Sequence, residues 1–93
     1  DEIAERILTL GYTPNHNFSD YIELSTIKES KEVSDGAKCV ENILSSFKIV
    51  IDLQRELLDI TEKAGDEGTN ALMSGYISEQ EKEVWMYNSY LGK

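Results

Sequence analysis

Proline and cysteine are almost absent: the 93 residues contain one of each, with six glycines. A single cysteine, Cys39, excludes an internal disulfide and suits a reducing cytoplasm. A single proline, Pro14, leaves the rest of the chain free to form long helices. Basic residues are scarce as well, nine Lys and Arg against eighteen Asp and Glu, for a formal charge of −9. That balance argues against nucleic acid as a direct partner, because phosphate neutralisation needs clustered Lys and Arg. An acidic surface suits cations instead. No run of about 20 apolar residues exists to span a membrane. No secretory leader, internal repeat, low-complexity tract or strand alternation is visible. The length allows one small domain with a modest core.

What is present is helical periodicity around one tight bend. In DITEKAGDEGTNAL, residues 59–72, Gly65 is suited to the left-handed conformation that stops a helix, and Asp66 to capping the next one. Long amphipathic runs flank that step. The third segment, 35–64, carries Val40, Ile43, Leu44, Phe47, Val50, Ile51, Leu57 and Leu58 on an apolar face, and Lys63 suits its last turn. The fourth, 67–91, places Leu72, Tyr76, Ile77, Val84, Tyr87 and Leu91 inward, and Gly92 stops it. Together they predict an antiparallel hairpin, half of an all-α four-helix bundle.

The preceding chain is shorter in structure and longer in connection. Ile3, Ile7 and Leu10 form one stripe on a helix over 1–10, with Asp1 and Glu5 one turn apart on an adjoining face. No cap precedes those acids, as expected of a helix cut open mid-length, so the chain is expected to be a fragment. Gly11 and Pro14 end that helix. Ser19 is the expected cap of a short helix over 19–25, and 25–35 is a surface connection. About 25 residues from Gly11 to Asp35 exceed a simple helix-helix turn and suit a crossover along the bundle. Two long helices and a stub leave an apolar seam uncovered, which at about 25 cal/mol per Å² drives association or docking with a missing segment.

The blocks DEIAERILTLG, TEKAGDEGT and EQEKEVWMYNSYLG, in this order around a Pro-containing loop and a short helix, resemble the Dps-like mini-ferritins of the ferritin-like superfamily. The resemblance covers all 93 residues. It implies the C-terminal portion of that family: the end of the second helix, the short crossover helix, and the third and fourth helices. Tyr12 departs from it, since the family usually has a second glycine there. The implied function is a ferroxidase and iron store that oxidises Fe(II), preferably with hydrogen peroxide, in a hollow cytoplasmic dodecamer, and so limits oxidative stress. The family's di-iron site lies between subunits, and the resemblance places Asp1 and Glu5 there as metal ligands, facing histidines of missing N-terminal helices in a neighbouring subunit. It also places Glu62, Glu67 and Asp66 at an acidic pore for iron entry, where symmetry would multiply their charge. Ala71 stands where some relatives have a further acid.

Each of these residues also has a plainer reading. Acids one turn apart are commonly a solvated helix face, and Glu62, Asp66 and Glu67 suit a helix end, a cap and a first turn. The only histidine, His16, has no glutamate three residues before it, so an iron site internal to this chain is not expected. It reads as a solvent-facing loop residue, with a surface metal contact as the other reading. Cys39 reads as core or near-core, Trp85, Tyr87 and Tyr90 as core or interface, and Met73 and Met86 as gap-fillers. A non-catalytic helical module that pairs through its hairpin seam is the rival to the iron protein. DNA coating is disfavoured by charge, but the family's basic tails would lie outside these residues.

Overall fold

Four helices account for most of the chain: α1 (Glu2–Thr9), α2 (Phe18–Leu24), α3 (Gly36–Ala64) and α4 (Glu67–Tyr90). The computed structural model describes residues 1–93 throughout. No strand is present, and the expected all-α architecture is what the chain adopts. Its dimensions, 44 × 30 × 18 Å, are those of one layer of helices, with the long axis set by α3.

α3 and α4 form the hairpin, and theirs is the only extensive helix-helix interface. The inward positions run 44, 47, 51, 54, 58, 61 on α3 and 70, 73, 77, 80, 84, 87 on α4, with 91 at its C-cap. That alternating three-four spacing keeps a seam facing its neighbour. Ile51, Met73 and Ile77 are its buried apolar centre. Phe47 and Tyr87 pack at one end with ring centroids 6.1 Å apart. At the other, the Asn70 side-chain amide donates to the Leu58 carbonyl and to Thr61 Oγ1, both at 3.1 Å.

Gly65 lets the chain reverse between the two helices. At φ 71° it occupies the left-handed region, where a side chain would be strained, and it carries the αL cap of α3. The Asp66 amide reaches back to the Thr61 carbonyl at 2.9 Å, closing the helix end. Asp66 then opens α4 by accepting from the Thr69 amide. Gly11 ends α1 in the same way, with the Tyr12 amide on the Ile7 carbonyl.

Two local expectations need correction. Asn17, in extended conformation, is the N-cap of α2, so Ser19 lies inside that helix rather than capping it. Cys39, read as core or near-core, is exposed; Trp85, read as core or interface, is 64% exposed and so lies outside the core of this chain. For Cys39 the cause lies on α3. The apolar face of α3 is wider than one neighbouring helix can cover, and α4 covers only its middle. Cys39 therefore borders an open groove with Val33, Ile43, Phe47 and Val50. Only five of 93 residues are buried, which makes this a half-built core.

Candidate functional site

The bend and α1 meet at a compact polar network. Asp66 sits at the N-terminus of α4 because Gly65 turns the chain there, and its Oδ1 accepts from the Thr69 amide at 3.1 Å. Thr69 Oγ1 donates to Asp66 Oδ2 at 2.6 Å. Arg6, one residue after Glu5, reaches across from α1: its Nη2 donates to Asp66 Oδ1 at 2.8 Å and its Nε to Thr69 Oγ1 at 2.9 Å. The Thr69 hydroxyl, the Thr69 amide and then the Arg6 guanidinium hold the Asp66 carboxyl below the usual carboxylate range.

The remaining bend acids face elsewhere. Glu62 and Glu67 are exposed and border the same open depression of about 500 Å³, with Asp59 beside them. Asp59 carries no sequence signal of its own, because only the folded bend shows which acids of α3 share that surface. Asp66 does not line the depression, being turned toward Arg6.

Asp1 and Glu5 open α1, and both are exposed. Asp1 is the N-cap, and its carbonyl accepts from the Glu5 amide at 2.9 Å, while its carboxylate makes no capping bond. The Glu5 side chain makes no ion pair within the chain, and two carboxylates one turn apart are a suitable half-set of hard donors for iron. Tyr76 of α4 is close enough to feel this helix: burial, then the charges of Glu2, Glu79 and Glu5, push its phenol up. No group of three or more His, Cys, Asp or Glu residues within the chain could hold a metal ion. His16 stays in its loop, with Nδ1 3.3 Å from the Pro14 carbonyl.

Arg6, Gly68 and Thr69 are the residues that sequence reasoning passed over. Their signal is weak one at a time: an arginine among acids, a glycine in a first turn, a threonine after a cap. Their meaning comes from the contact between α1 and α4, across some 60 residues of chain.

A hairpin of long helices, a short crossover helix and an acid-bearing stub define a ferritin-type half-bundle. A family profile described as Ferritin-like domain matches residues 1–93, and the chain belongs to that family, as a Dps-like mini-ferritin. It is 40% identical over 93 residues to the DNA protection during starvation protein of Porphyromonas gingivalis, covering all of this chain and 58% of that one. It is 52% identical over 89 residues to an uncharacterised Haemophilus influenzae protein, covering 96% of this chain and 56% of that one. The crystal structure of a Dps protein from Vibrio cholerae O1, described as a member of a superfamily of ferritin-like diiron-carboxylate proteins, superposes with a TM-score of 0.95. It is 48% identical, with 98% of this chain and 57% of that one covered. The chain thus spans rather more than half the length of these relatives. No helix is long and apolar enough to cross a membrane.

Proposed function

We propose that these residues belong to a cytoplasmic mini-ferritin subunit that oxidises Fe(II), preferably with hydrogen peroxide, and stores the ferric product inside a closed homo-oligomeric shell, a dodecamer. The observation that carries this reading is the pair of exposed carboxylates, Asp1 and Glu5, one turn apart on a helix anchored to the bend. Iron is the substrate. The two carboxylates bind it from one subunit, and histidines from a neighbouring subunit complete the set. Hard anionic donors stabilise Fe(III) over Fe(II), which favours oxidation at that position. Two Fe(II) ions give one electron each, and one peroxide accepts both with two protons to leave two waters.

Glu62 and Glu67, with Asp59 beside them, supply the negative field that draws Fe(II) inward, and repetition of the bend around a symmetry axis would focus it. Asp66 serves the same entry route indirectly, by holding α1 against the bend. The relatives' name, DNA protection during starvation, fits a protective role. With a net charge of −9, these residues favour protection by removing iron and peroxide together over coating DNA, a role that the family's basic tails would carry outside them.

Glu5→Ala in the assembled protein tests the reading. Fast Fe(II) oxidation is expected to disappear while the oligomer mass is unchanged, and unaltered kinetics would reject it. The uncovered apolar face of α3 favours one rival, a non-catalytic helical module that pairs through its seam. A helical oligomer that takes up no iron in a metal titration would establish that rival.

A further inference from the structure

α1 has no buried residue, and its contact with the hairpin is slight apart from Arg6. The Arg6 side chain is 28% exposed and that of Asp66 23%, so the pair is largely shielded from water. The guanidinium is bound at two nitrogens, on Asp66 and on Thr69. It also lies flat against α4 at Gly68: a Cβ there would come within 2.5 Å of Nη2, 2.8 Å of Cζ and 2.9 Å of Nη1. Gly68 is within a helix at ordinary negative φ, so neither a turn nor a left-handed backbone accounts for it. Alanine would be the better helix former, by less than the helix-interior difference because Gly68 is the second residue of α4. Room for the arginine is what the glycine provides. Nor does the cap of α4 need Arg6, because Asp66 already accepts from the Thr69 amide and hydroxyl. The arginine contacts therefore act on the placement of α1.

We propose that Arg6 is a positioning residue: seated on Gly68 and bound to Asp66 and Thr69, it clamps α1 to the bend and so fixes where Asp1 and Glu5 present their carboxylates. This rests on the reading of those two acids as iron ligands. Glu5 is the immediate neighbour of Arg6, so any rotation of α1 that frees the guanidinium also displaces the Glu5 carboxylate. Displacing a ligand's support typically lowers metal affinity about 10- to 100-fold.

The test uses the assembled protein and three substitutions beside Glu5→Ala. Gly68→Ala pushes the guanidinium off its seat without changing any charge, and it improves intrinsic helix propensity. Arg6→Ala removes the clamp. Arg6→Lys keeps the charge and loses the two-nitrogen geometry. Co(II) binding, read from its visible absorption, reports the carboxylate site independently of oxidation. Hydrogen exchange at the Leu10 and Tyr12 amides reports the docking of α1. Gly68→Ala and Arg6→Ala are expected to weaken Co(II) binding about tenfold and to raise KM for Fe(II), with oligomer mass unchanged and α1 amides exchanging faster. Arg6→Lys should recover part of that loss. A purely structural role would lower Tm and leave Co(II) affinity as it was. If Glu5→Ala abolishes Co(II) binding while Gly68→Ala and Arg6→Ala bind it normally, the clamp is overturned and the iron reading stands. If Glu5→Ala binds Co(II) and oxidises Fe(II) normally, both fall.

Discussion

The two ends of the hairpin are built differently. At the bend, polar groups close on one another: Thr61 with Leu57 and Asn70, Asp66 with Thr69, and Arg6 with both. At the far end, Trp85, Met86 and Tyr90 stand 64%, 47% and 66% exposed, and Val40, Glu83 and Tyr87 border an open hollow with the last two. Between them, the side-chain oxygens of Gln54 and Gln80 are buried without a hydrogen-bond partner in the chain. A closed polar network is complete within these residues, whereas exposed aromatics and orphaned amide oxygens ask for something beyond them. The difference puts the chain's closed polar network at the bend and its uncovered aromatic surface at the open end.

The largest expected effect tests whether the bend half of the seam is the true core. Ile77 is 8% exposed between α3 and α4, and Ile77→Ala is expected to cost about 2–5 kcal/mol in urea denaturation, from lost burial plus a cavity. Trp85→Ala at the open end should change unimolecular unfolding by under about 0.5 kcal/mol. Equal losses at the two positions would erase the contrast between the ends. A smaller effect is expected at Asn70, whose amide bridges Leu58 and Thr61 across the hairpin. Asn70→Ala removes both bonds and should cost about 1–2 kcal/mol, with an unchanged denaturant slope. No change in midpoint would mean that the bend holds together without that bridge.

Legibility in the sequence follows the range of the interactions. The hairpin is readable because Gly65, Asp66 and the apolar spacing of α3 and α4 are local signals, each acting within a few residues. The width of the α3 face is readable too. Which part of it is covered is not, so Cys39 reads as core or near-core and is in fact exposed. At the candidate site, Asp1, Glu5, Glu62 and Glu67 can be named from motifs. Arg6 cannot, because an arginine next to a glutamate on a short helix looks like a solvated face until Asp66 arrives from a distant part of the chain.

The smallest expected effect isolates the charge at the bend from its hydrogen bonds. Asp66 titrates below its ordinary value of 3.8, so its ionised form stabilises the fold above about pH 4, and that contribution is lost as pH falls through the lowered folded value. In the Asp66→Asn variant the new amide would still cap α4, since asparagine is as good an N-cap as aspartate, but it carries no charge for Arg6. The variant should therefore be less stable than the parent at pH 7, and the gap should narrow as pH drops below about 4. Tyr76 does not interfere: its pKa lies above the ordinary 10.0, so its contribution is constant at acid and neutral pH and changes only in alkali. A gap that stays constant from pH 7 down to about 2 would mean the Arg6–Asp66 contact acts through shape alone. A narrowing gap, accompanied by faster exchange at the Leu10 and Tyr12 amides of the parent in acid, would tie the charge of Asp66 to the docking of α1.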